Sequence, residues 1–231
     1  MKRFYTHVTV APAGNGWQVQ LDGRAIKTVG RQAQVVPTEA LARALAEEWA
    51  VQGEDINPAA FMFRDMTDYA LDVVAQERDA AIRALVPYAE TDTLCYRADP
   101  DAPLYPRQLA VWEPILTAAE ARYDVHFERV SGIIHRAQPA ATLARMNAAL
   151  AACDAFTLAA LRNLAGLAAS LVIGLSALEP DADLDALWTA ASLEEEWQAE
   201  LWGREEEAEA RRAKRASDFR SAARFAGLAK V

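Results

Sequence analysis

The sequence predicts an α+β fold, with a small antiparallel β-rich N-terminal domain and its covering helix over residues 1–60 and a larger all-α helical bundle over residues 61–231. Two observations predict it. Over the first 37 residues apolar and polar side chains alternate between glycine turns, the period-2 pattern of half-buried strands. From about Phe61 onward apolar residues recur every three or four positions, the period of helices with one buried face. With 231 residues and 52% hydrophobic content, the chain can bury a sizeable core in one or two domains.

In the first strand Phe4, Thr6, Val8 and Val10 alternate with Tyr5, His7 and Thr9. A turn over Ala13–Gly16 leads to a second strand with Trp17, Val19 and Leu21 on one face. Asp22 and Gly23 tolerate the positive φ of a two-residue type I′ hairpin turn. Ala25 to Val29 is read as a third strand, Gly30 to Gln32 as a turn, and Ala33 to Val36 as a fourth strand. Such a meander has one apolar face that needs a cover. The helix after Pro37 supplies it: Thr38 can cap it, Glu39 suits its first turn, and Leu41, Leu45 and Trp49 form its buried stripe, up to about Gly53.

Helices are then expected over Arg64–Gln76 and Arg78–Tyr96, with Pro87 breaking or kinking the second. Residues 99–103 form an extended connector. Arg107 to Arg122 is helical despite Pro114, and Tyr123 to Val130 alternates as a strand would. Further helices are expected over Ala140–Ala152, Phe156–Leu178, Leu184–Trp202 and from Arg204 into the tail, with Asp154 and Asp183 at cap positions. The most apolar run, Leu164 to Leu178, lies in a charge-free window of sixteen residues. This falls short of the roughly 20 that span a bilayer, so a buried helix is expected and no membrane insertion. Gly166, Ser170 and Gly174 would form a groove on it for another helix.

A net charge of −9 disfavours nucleic-acid binding, which needs Lys and Arg to neutralise phosphates. The basic cluster Arg211 to Arg215 follows an acidic run and is read as pairing with glutamates one turn earlier. Cys95 and Cys153 stand alone, as small core residues in a reducing compartment. No phosphate-binding glycine motif and no Gly-x-Ser-x-Gly elbow is present. His7, His126 and His135 are scattered through strand and loop contexts, without the clustering a zinc site needs. No cofactor or metal is expected. Neighbouring glutamates on a helix splay about 100° apart, so the triplet Glu194–Glu196 cannot converge on one substrate atom.

The segment Leu193 to Glu209, LEEEWQAELWGREEEAE, holds eight glutamates and one arginine. On a helix, Leu193, Trp197 and Leu201 form a stripe expected to face the core, Glu194 borders it, and Glu195 and Glu196 fan outward. Trp202 lies on the far face, one turn beyond Gln198 and two beyond Glu195; either the helix ends at Gly203 and Trp202 folds back into the core, or it is an anchor for a partner. Two readings stand. The helix end is a solvated acidic face, or it is a docking surface with Trp202 as its anchor, Trp being enriched among residues that carry binding energy.

Several segments together resemble one family: RFYTHVTV with GWQVQLDGRAIKT, VPTEALARALAEEW with Gln52, YAETDTLCYRA, RQLAVWEPIL, LEEEWQAELWG and the closing Ala-Arg-Phe region. In consistent order over nearly the whole chain, they are similar to the assembly chaperone for the alpha subunit of the F-type ATP synthase catalytic sector. The resemblance implies a β-rich domain followed by a helical one, no catalysis, and a role in keeping unassembled alpha subunit soluble until its neighbours displace the chaperone. It connects activity with the acidic segment, hence with Glu194, Glu195 and Glu196. It implies a folding role for Trp49. Thr93 stands where family members more often carry a hydrophobic residue. Mitochondrial relatives carry an import segment; MKRFYTHVTV goes straight into the strand pattern, which implies a bacterial cytoplasmic member, or a matrix protein if the chain is a trimmed mature form.

The reading is therefore a non-enzymatic chaperone, monomeric when free, whose partner is the alpha subunit. Its contact residues are Glu194, Glu195, Glu196, Gln198 and Trp202, and its structural residues Trp49, Asp92, Arg97 and Trp112, with Asp92 capping or turning the chain and Arg97 pairing with a carboxylate. The rivals are a general helical adaptor using the same acidic face, and a carboxylate-dependent hydrolase. The last would need Asp92 and the glutamate triplet to share a pocket.

Overall fold

A computed structural model describes residues 1–132 and 136–230. His135 lies outside the described residues. The chain has the expected α+β class, with antiparallel strands at the N-terminus and helices after them. It divides into two compact units. One holds Met1–Ala81, Asp154–Ala160 and the stretch from Ser221 onward; the other holds Ile82–Cys153 and Leu161–Arg220. The first unit thus runs beyond residue 60, where the change of sequence period had suggested a boundary.

In the first unit β1 (Val8–Ala13) pairs antiparallel with β2 (Gly16–Leu21), and β2 carries β3 (Arg24–Ala25) and β4 (Val35–Val36) on its other edge. Asp22 and Gly23 have φ of 47° and 76°, so the turn into β3 is left-handed as expected. Residues 4–7 do not join the ladder. Instead the Asp22 carboxylate accepts the N–H groups of Thr6 and His7, at 3.1 and 2.8 Å.

The expected strand over residues 25–29 also stops early: Thr28 N turns to the Gln32 carbonyl, and two carboxylates hold the chain from Thr28 to Gly30. Asp72 accepts from Gly30 N and Thr28 Oγ1 at 2.7 and 2.6 Å, and Asp68 accepts from Val29 N and Gln34 Nε2. A Cβ on Gly30 would lie 2.6 Å from the Asp72 carboxyl carbon, which explains the glycine.

Helix α1 (Glu39–Ala50) covers the sheet. The Thr38 hydroxyl accepts from Leu41 N at 3.1 Å, and Leu41, Leu45 and Trp49 are buried. Trp49 packs between Tyr5 and Phe61, with ring centroids 5.6 and 4.6 Å away. Glu48 caps α2 (Met62–Tyr69) by accepting from Phe63 N and Arg64 N at 2.6 and 2.9 Å. Burial outweighs those bonds and raises its pKa. Residues Ala70–Val74 continue α2 as a π-helical turn.

Helices α3 (Arg78–Leu85) and α4 (Pro87–Glu90) meet at Pro87, where the break was expected. In the second unit α5 (Tyr105–Tyr123) runs through Pro114 without interruption. The stretch 123–129 is not a strand; only Val130–Ser131 (β6) pairs, in parallel, with Tyr96–Arg97 (β5). Side chains replace the ladder there: Phe127 N donates to Glu120, and Gln138 exchanges two hydrogen bonds with the main chain of Glu128.

Helix α6 spans Ala140–Ala152 as expected. The helix expected over Phe156–Leu178 is two, α7 (Ala155–Ala168) and α8 (Leu171–Ser176), separated by Ala169 at φ 48° and by Ser170, which caps α8. This break ends the supposed groove of small residues. Gly174 serves instead to bring α8 against α7, where a Cβ would lie 3.2 Å from Ala165 N. The remaining helices are α9 (Leu184–Ala191), α10 (Leu193–Trp202) and α11 (Glu206–Ala229). Among the described residues no helix is long and apolar enough to cross a membrane, and no group of His, Cys, Asp or Glu is placed to hold a metal ion.

Candidate docking site

Helix α5 holds the second unit's polar connections. Gln108 has no exposed surface; its Oε1 accepts from Ala98 N and its Nε2 donates to Glu194, both at 2.8 Å. One turn later Trp112 donates from Nε1 to the Ala190 carbonyl at 2.8 Å. Glu113 pairs with Arg97 at 2.6 Å and Arg129 at 2.7 Å. The Arg129 hydrogen bond, with help from Arg97, holds Glu113 below the usual carboxylate range. At Glu120 burial acts to raise the pKa, but Arg129 and the Phe127 amide outweigh it and the net shift is downward.

Asp92 is fully buried and spans two turns. It accepts from Leu94 N at 3.1 Å and from Val172 N, at the start of α8, at 3.0 Å; the Ser170 hydroxyl and Leu171 N add to these. Burial pushes its pKa up to about 6 in spite of those donors. Beside it Leu94 and Cys95 have no exposed surface, while Thr93 reaches the Ala169 carbonyl with both its N–H and its hydroxyl. A polar residue at 93 thus leaves that turn buried.

The acidic helix α10 begins beside this framework. Leu193 is buried and Trp197 half-buried, with the Arg107 guanidinium 5.6 Å from its ring centroid. The expected buried stripe ends there, because Leu201 is 57% exposed. Gly203, at φ 98°, stops the helix, and Trp202 stays out at 78% exposure rather than folding back. The three glutamates have three different fates. Glu194 turns an oxygen inward to Gln108, and burial raises its pKa against that hydrogen bond. Glu195 pairs with Arg215 at 2.7 Å. Glu196 takes both Arg204 and Arg212.

The basic cluster therefore does more than was expected of it. Arg211 and Arg212 do reach Glu207 and Glu209 on their own helix, at 3.5 and 3.1 Å. Arg212 and Arg215 also cross to α10. Arg215 further donates to the Leu167 carbonyl, and its guanidinium lies 5.4 Å from the centroid of Trp188. These cross-helix roles were missed, since an i, i+4 count sees only one helix; the sole signal was the Gly203 turn between the glutamates and the arginines.

Between α10 and α11 lies a groove of about 480 Å³ lined by Glu195, Gln198, Ala199, Trp202 and Gly203 on one side, and by Ala208, Arg211, Arg212 and Arg215 among others on the other. It brings together three of the expected contact residues, Glu195, Gln198 and Trp202. Asp92 does not line it. The shared carboxylate pocket that a hydrolase reading required is not formed there. What the groove offers is an exposed indole beside guanidinium and carboxylate groups held in fixed pairs, a surface suited to a polypeptide.

The family model described as "ATP12 chaperone protein" matches residues 2–120. Among solved structures, Atp12 from Paracoccus denitrificans is 36% identical, with 99% of this chain and 98% of that chain covered and a TM-score of 0.91. A point mutant of the same Paracoccus protein gives the same identity and coverage, with a TM-score of 0.90. A protein from Agrobacterium tumefaciens is also 36% identical, with 99% of this chain and 86% of that one covered and a TM-score of 0.93. Likeness over nearly the full length, at that identity, joins the sequence match over the first half: this chain belongs to the ATP12 chaperone family.

Proposed function

We propose that the protein is an assembly chaperone of the F-type ATP synthase that holds the unassembled alpha subunit, and that its client contact is the α10 face with Glu194, Glu195, Glu196, Gln198 and Trp202. The observation that carries this reading is Trp202, a tryptophan left 78% exposed at the lip of a groove in a member of a chaperone family. A large aromatic side chain kept in water is costly unless a partner covers it. Basic groups of the client would share Glu195 and Glu196 with Arg215, Arg204 and Arg212, so that capture and release involve exchange of one cation for another. Such pairs set encounter rate and discrimination more than raw affinity.

The test is a pull-down of freshly synthesised alpha subunit at low salt. Trp202→Ala should reduce capture about tenfold or more, in the range of an anchor residue, with an unchanged melting temperature. Capture equal to wild type would overturn the assignment of the site. Enrichment of some other protein in place of alpha subunit would favour a general adaptor.

A further inference from the structure

The first unit carries a second groove, of about 560 Å³, whose chemistry is opposite to that of α10. It is lined by Phe4, Tyr5, Leu21, Ile26 and Trp49, with Arg24 and Lys27 at its rim. Its floor is aromatic: Tyr5 and Trp49 are buried, and the Tyr5 hydroxyl is fixed to the Trp49 carbonyl at 2.6 Å. Phe4 stands over them, 63% exposed, its ring centroid 5.3 Å from that of Tyr5. Arg24 and Lys27 are exposed, and neither forms a salt bridge among the described residues. A third cation, Arg3, lies 4.6 Å from the centroid of the Tyr5 ring and spends its hydrogen bonds on main-chain carbonyls. The one carboxylate in the lining, Asp22, is engaged by the Thr6 and His7 amides, which hold its pKa below the usual range.

In a chain of net charge −9, Arg24 and Lys27 at the rim, with Arg3 against the Tyr5 ring beside it, outnumber the one lining carboxylate, Asp22, which lies within Coulombic reach of Arg24, and make a local reversal of sign. We propose that this groove docks an acidic polypeptide segment of a partner, seating one aromatic or aliphatic side chain against Phe4, Tyr5 and Trp49 and placing flanking carboxylates on Arg24 and Lys27. The apolar floor supplies contact area, and the excess of cations at the rim selects the sign of what enters. The inference is independent of the α10 site, which presents a different surface and its own paired charges.

The test titrates the full-length protein, labelled with nitrogen-15, with the capped peptide Glu-Val-Phe-Val-Glu and with its counterpart Lys-Val-Phe-Val-Lys. The acidic peptide should shift the amides of Phe4, Ala25 and Ile26 and the Trp49 indole N–H, and bind about tenfold more tightly than the basic one. Arg24→Glu combined with Lys27→Glu should reverse that order, and Phe4→Ala should weaken both peptides, with melting temperatures unchanged because all three side chains are exposed. Equal affinity for the two peptides, an order unaltered by the charge reversal, or shifts confined to α10 and α11 would overturn the proposal. So would concentration-dependent self-association that the double variant abolishes while neither peptide binds, since the occupant would then be a second copy of this chain.

Discussion

At Asp92 a carboxyl group with no exposed surface accepts main-chain N–H groups from two separate turns, and burial still raises its pKa to about 6. A raised folded-state pKa means that the native state holds the proton more tightly than the unfolded chain does. The resulting stability is fully present below the unfolded value near 3.8 and is lost as pH rises through about 6. Asn at this position cannot ionise. Between pH 4 and pH 7 the unfolding free energy of Asp92→Asn should therefore gain on wild type by about 2 kcal/mol, read from urea denaturation at each pH. Parallel curves would contradict the assignment. Two tryptophans make a second comparison at this scale. Trp112 donates to the Ala190 carbonyl, whereas the buried Trp49 Nε1 has no hydrogen-bond partner among the described residues. Replacing both by Phe removes similar volume, but only Trp112→Phe removes a buried hydrogen bond. It should cost roughly 1–2 kcal/mol more than Trp49→Phe in the same denaturation experiment.

Between α10 and α11 the chain reverses at Gly203, whose φ of 98° and ψ of 164° fall in a region that side-chain-bearing residues avoid. A Cβ there would meet nothing within 4 Å, so any penalty is one of backbone conformation alone. Gly203→Ala should lower the unfolding free energy by about 1–3 kcal/mol and loosen the Glu195–Arg215 and Glu196–Arg212 pairs. Faster amide exchange across the last turn of α10 would report it; an unchanged exchange pattern would show that the ion pairs hold the reversal without the glycine. Helix ends were readable from sequence where one residue decides them, as at Thr38, Pro87 and Gly203. They were not readable where a distant side chain decides. The break at Ser170 depends on Asp92, and the loss of the strand before Val130 depends on Glu120 and Gln138. Those partners are far off in the chain or wrongly phased for any local period, so hydrophobic pattern carries no trace of them.

For the molecule as a whole, class and order of elements followed from the change of period near Phe61, because burial on one face leaves its spacing in the sequence. Compact units did not follow, since the first recruits Phe156 and Phe225, which pack together with centroids 6.2 Å apart, from remote parts of the chain. Of the candidate docking site, the glutamate run and the far-face position of Trp202 were legible, but the arginines opposite them were read as neighbours along one helix. That correction changes how the ionic milieu should matter. If Glu195 and Glu196 stood bare, added electrolyte would simply weaken client capture, by screening an attraction. With internal guanidinium groups already occupying them, electrolyte also frees the seats that an incoming cation must take. On the proposed function, capture of alpha subunit should then vary only shallowly between about 50 and 200 mM salt, whereas Arg204→Gln, Arg212→Gln and Arg215→Gln combined should make it steep. A protein built this way would carry its own counterions, and keep its grip adjustable without depending on those of the solution.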